Sequence, residues 1–76
     1  MVQTKLKTLR EELQPKVTQE DIAHSAGLRL NTYRNAEYGK NVSYTTAMAI
    51  LKALNTLRSE RGITDIDLKD LGLSIV

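Results

Sequence analysis

The 76-residue chain contains no cysteine, tryptophan or phenylalanine, and has a single proline and a single histidine. Without thiols, neither a disulfide nor a thiolate metal centre can form, and an intracellular setting is the simplest expectation. His24 stands alone, without cysteines or paired acids, so no metal and no cofactor are expected. The GxxxxGK phosphate loop is missing as well, because Arg34 occupies the place of the glycine that should precede Gly39-Lys40. Asp65, Asp67 and Asp70 read as cap and surface residues, not as a calcium loop. No nucleophile sits beside a base, so no enzymatic activity is expected. No apolar run approaches the roughly 20 residues of a membrane-spanning helix, and the polar start VQTKLKTLREEL is no secretory leader. These absences leave a soluble, cytoplasmic binding or interaction domain.

What is present points to one small helical domain spanning residues 1–76. At this size only roughly 60% of the unfolded chain's surface is buried on folding, so the core is small. Three tyrosines are the only aromatics, leaving leucine, isoleucine, valine and alanine to build that core. Eleven lysines and arginines against nine acids give a net charge of +2, and its placement matters. Residues 1–27 and residues 45–76 are each balanced, four positive against four negative. Residues 28–44 hold Arg29, Arg34 and Lys40 against Glu37 alone, so the whole surplus lies there. A local positive patch suits a phosphate backbone, although an ordinary solvated face would show the same charges.

Taken in order, the pattern predicts five helices and no strand. Leu6, Leu9 and Leu13 are spaced for a first helix over about residues 3–14, which Pro15 stops by about Leu13. Thr18 with Asp21 forms a candidate capping box, opening a second helix from Gln19 to about Ser25 with Ile22, Ala23 and Ala26 inward. Gly27 suits a left-handed terminating turn. After Leu28, read as a buried anchor, a third helix runs from about Leu30 to Tyr38, with Tyr33 and Ala36 on the inner face, and Gly39 ends it. Ser43 is a candidate cap for a fourth helix over 44–57, whose stripe of Ala47, Ile50, Leu51, Leu54 and Leu57 marks the central core helix. Arg58 to Gly62 reads as a charged break or frayed extension. Thr64 with Asp67 is a second candidate capping box, opening a fifth helix through about Leu71. The last residues, LGLSIV, are apolar but not helical in pattern. Leu71, Leu73, Ile75 and Val76 serve either to complete the core or to join two copies of the chain.

The stretch from Gln19 to Glu37 places small residues where two steeply crossed helices would touch: Ala23 four residues after Gln19, and Gly27 four after that. With Leu28, Tyr33, Glu37 and Gly39-Lys40, this pattern closely resembles the helix-turn-helix of the phage-repressor and Cro-like (XRE-type) family. LKTLREEL is similar to that family's first helix and Ser43 to Leu54 to its fourth, so the resemblance covers roughly residues 4–57. It implies an all-α, five-helix lambda-repressor-like domain with its motif at 19–38; the stretch after Leu54 is longer than the family's usual ending, so residues 58–76 read as a C-terminal extension. It also implies that Arg10 of the first helix pairs with Glu37. The sequence departs from the family in a longer loop around Pro15, in Arg29 where a Ser or Thr cap is common, and in Leu30 where a polar reader often stands.

What the resemblance implies for function is sequence-specific binding of double-stranded DNA by a transcriptional regulator or repressor, with the third helix in the major groove. Asn31 and Asn35 would contact adenine, Arg34 a guanine or a phosphate, and Thr32 and Leu30 a thymine methyl, with Arg29 available outward beside them. Gln19 would meet the backbone at the start of the second helix, and Lys40, Asn41, Ser43 and Tyr44 the next phosphates. A domain that grips so few phosphates is expected to work as a homodimer. The competing reading is a protein-interaction module on the same scaffold, such as an antitoxin-like partner, for which an apolar Leu30 on the outer face is the one hint.

Overall fold

The structure is a computed structural model that describes residues 4–76, so the expected helix start at residue 3 lies outside the described residues. Among the described residues, four α-helices follow one another: α1 (Lys5–Glu11), α2 (Gln19–Ala26), α3 (Leu30–Glu37) and α4 (Tyr44–Glu60). A single 3-10 turn at Leu68–Leu71 then leads to the C-terminus. α4 is the longest, and it buries Ala47, Ile50, Ala53 and Leu54 along one stripe against α2. The spacing of those residues keeps them on one face of a 3.6-residue repeat. Leu6 and Leu13 belong to the same core, together with Val17, Ile22 and Tyr33.

Local chemistry explains where the helices begin and end. Thr18 Oγ1 accepts from the Asp21 N–H at 3.0 Å while Asp21 Oδ2 accepts from the Thr18 N–H at 3.1 Å, the reciprocal box expected from the sequence. Ser43 Oγ accepts from the Thr46 N–H at 3.1 Å and caps α4. α4 runs three residues further than expected and absorbs the supposed charged break. Arg58, Ser59 and Glu60 continue it without conflict, and the stop comes only at Gly62, whose φ of +71° is left-handed.

The fifth helix is corrected to the short 3-10 turn. Ile66 lies outside any helix and Asn55 brackets it, Oδ1 accepting from its N–H at 3.0 Å and Nδ2 donating to its carbonyl at 3.1 Å. With both backbone groups engaged, no α-helix can pass through Ile66. The supposed Thr64–Asp67 box does not form, and Asp67 instead donates its N–H to Asp70 Oδ2 at 2.9 Å. The tail then folds back. Leu71 is fully buried and Leu73 half-buried, while Val42 and Ile75 form one isolated parallel bridge, the Val42 N–H reaching the Ser74 carbonyl at 2.8 Å. Half of the apolar tail therefore completes the core, and only Ile75 and Val76 stay exposed.

Candidate nucleic-acid interface

α2 and α3 are joined by a turn whose hydrogen bonds leave little freedom. The Gly27 N–H donates to the His24 carbonyl at 3.0 Å and the Leu28 N–H to the Ala23 carbonyl at 2.9 Å, the doubly closed Schellman arrangement. Gly27 has φ +71°, and a methyl group built on it would meet nothing within 4 Å. The glycine is therefore required by backbone conformation and not, as the spacing suggested, by close helix contact. Ala23 is buried in the core. Leu28, expected as a buried anchor, is half-buried. α3 closes in the same way as α2, with the Gly39 N–H on the Ala36 carbonyl at 3.1 Å and the Lys40 N–H on the Asn35 carbonyl at 3.0 Å.

The inner face of α3 carries Tyr33, Ala36 and Glu37, all buried. Glu37 is only 1% exposed, and Arg10 of α1 meets it from below: Nε donates to Oε2 at 2.6 Å, Nη2 to Oε1 at 3.4 Å, and Nη1 to the Val17 carbonyl at 3.1 Å. The pair thus ties α1, the loop before α2 and the end of α3 to one point. Gln19 Nε2 adds a bond to Glu37 Oε1 at 2.9 Å. Burial pushes the Glu37 carboxyl upward, but the facing groups of Arg10, Tyr33 and Gln19 outweigh it and hold the acid below its ordinary range. The Tyr33 hydroxyl lies close to the same carboxylate without a well-formed hydrogen bond, and burial, followed by the neighbouring negative charge, pushes its ionisation upward.

The outer face is the reverse. Asn31 and Asn35 are exposed and have no side-chain hydrogen bond to any described residue. Together with Tyr38 they stand at i, i+4 and i+7, one line along the helix. Tyr38, 48% exposed, was not among the expected contact residues, although its spacing from Asn31 was legible. Arg34 lies beside that line, on the flank towards α2, where its Nε donates to Gln19 Oε1 at 3.2 Å. Arg29 is exposed at the start of α3 and caps nothing. Leu30 and Thr32 are half-buried, and so less outward than the sequence suggested.

The loop after α3 divides similarly. Lys40 and Tyr44 are exposed, without side-chain hydrogen bonds to described residues. Ser43 is engaged as the α4 cap, and Asn41 Oδ1 accepts from Ser74 Oγ at 2.6 Å. Gln19, expected to meet a phosphate, has both polar atoms of its amide used within the protein. No described helix is long and apolar enough to cross a membrane. The sequence model of a family described as helix-turn-helix matches residues 6–60, from α1 through the end of α4. No curated protein and no solved structure matches.

Proposed function

The chain belongs to the phage-repressor and Cro-like (XRE-type) helix-turn-helix family, a DNA-binding family, and on that premise we propose that it is a sequence-specific regulator of transcription that reads the major groove with α3. One observation carries the reading: the outer line of α3 presents two carboxamides with no partner among the described residues, while its inner face is locked to α1 and α2. A major groove admits a helix, and Asn31 and Asn35 offer the donor and acceptor pair that matches an adenine edge. Arg34 and Arg29 supply charge at the flanks, and Lys40, Tyr44 and Tyr38 border the same surface. Thr32 and Leu30, half-buried, touch at most a methyl group.

Binding as a homodimer in the cytoplasm, and repression by occluding a promoter, complete the proposal. Ile75 and Val76 are the apolar residues of the tail left for such a contact. The antitoxin-like alternative drew its one hint from an outward Leu30, and that side chain is half-buried.

Titrating mixed-sequence duplex into isotopically labelled protein at low salt tests the placement. The backbone amides of residues 29–44 are expected to shift, with those of Thr56 to Glu60 on α4 unmoved. Shifts concentrated on α4 would overturn it.

A further inference from the structure

We propose that Gln19 is a positioning residue that acts on DNA through Arg34. The inference rests on the DNA-binding reading and deepens it. The amide of Gln19 lies between two opposite charges, Nε2 against the Glu37 carboxylate at 2.9 Å and Oε1 against Arg34 Nε at 3.2 Å. Turning the amide over would set its oxygen against a carboxylate and its NH2 against a guanidinium, so both neighbours fix one orientation. Glu37 is itself fixed, buried and held by Arg10 at 2.6 Å. A chain of contacts thus runs from a rigid buried ion pair, through one neutral amide, to an exposed arginine on the flank of the reading helix.

The consequence is specific to Arg34. Its Nε–H is taken, and the two Nη nitrogens have no bond to any described residue. A guanidinium gripped by Nε presents those nitrogens end-on, as a pair of donors for a pair of acceptor atoms. An exposed arginine normally loses much rotamer freedom when it binds, and holding it in advance removes part of that loss. Two acceptors on DNA share this chemistry, the O6/N7 edge of a guanine and the oxygens of a phosphate.

The test is a double-mutant cycle on the duplex most enriched by wild-type protein in a selection from random DNA. Gln19→Ala is expected to weaken binding about three- to tenfold, the range of one lost hydrogen bond. In the Arg34→Ala background the same change should cost less than about twofold, because the group it positions is gone. Loss confined to one base position identifies the guanine edge, whereas loss spread evenly over sequences identifies phosphate; either supports the relay. Equal losses in both backgrounds would overturn it and assign Gln19 a contact of its own. Wild-type protein that enriches no duplex would remove the DNA reading and the relay together.

A second measurement needs neither DNA nor a stable variant. The Arg34 Nε–H of free wild-type protein should be as ordered as the neighbouring backbone by NMR relaxation. A freely mobile guanidinium in wild type would sink the inference.

Discussion

The two faces of α3 differ in what their polar groups are for. Inward, Glu37 is buried, receives Arg10 and Gln19, and sits beside Tyr33. Outward, Asn31 and Asn35 carry polar carboxamides that make no hydrogen bond to a described residue. The difference follows from the energetics of desolvation. A buried charge is tolerated only with its partners in place, whereas an exposed amide loses nothing by waiting for a partner from outside. On the proposed function one short helix serves as both keystone and reader, and substitutions on its two faces should separate stability from binding.

The largest effect should come from Arg10→Ala, which strands the Glu37 carboxylate in the core. A loss of about 3–5 kcal/mol is expected in urea unfolding, most of the stability of so small a domain. Replacing Arg10 and Glu37 together by methionine should cost far less than either single change, because no unpaired charge then remains.

The same pair sets a pH dependence. The Glu37 carboxyl is held below its ordinary value of 4.5, so the unfolded chain takes up its proton first as the pH falls. Its stabilising contribution is complete above that ordinary range and is lost as pH falls through the depressed folded value. Melting temperatures followed from pH 7 downward should therefore fall for wild type below about 4.5, and fall less steeply for Glu37→Gln.

On the outer face, Asn35→Ala should leave the melting temperature unchanged and weaken binding to the selected site by about 1–3 kcal/mol, with relaxed preference at one base position. Lys40→Ala should weaken all duplexes alike and reduce the slope of affinity against salt by about one. A drop in melting temperature for Asn35→Ala would break the division between faces.

The smallest effects concern the starts of α2 and α3, one capped and the other not. Thr18→Ala should cost about 1 kcal/mol of stability, whereas Arg29→Ser should add about 0.5 kcal/mol while reducing DNA affinity through the lost charge. Unfolding and binding curves of the two variants check both signs.

The features legible in the sequence were those with local causes. Thr18 and Asp21 announce a box by their spacing, Gly27 a left-handed turn, and Pro15 a break. The Arg10–Glu37 contact, 27 residues apart in sequence, was accessible only through family resemblance. What escaped was non-local. Asn55 takes both backbone groups of Ile66, and nothing in the stretch around Thr64 reveals that a distant carboxamide forbids a helix there. Gln19 is the same lesson at the site: its place at a helix start suggested phosphate, while its partners Glu37 and Arg34 lie on another helix. Tyr38 stood outside the expected contacts, although its i+7 spacing from Asn31 places it on the same exposed line.

Selection of bound duplexes from random DNA tests the division of α3 most directly. Wild-type protein and Asn31→Ala/Asn35→Ala, equally folded, are carried through the same rounds. Wild type is expected to enrich a motif repeated with two-fold symmetry, and the double variant to lose it while keeping weak, salt-sensitive binding. An unenriched wild-type pool, or the same motif from both proteins, would contradict the assignment of the outer face of α3 as the reader.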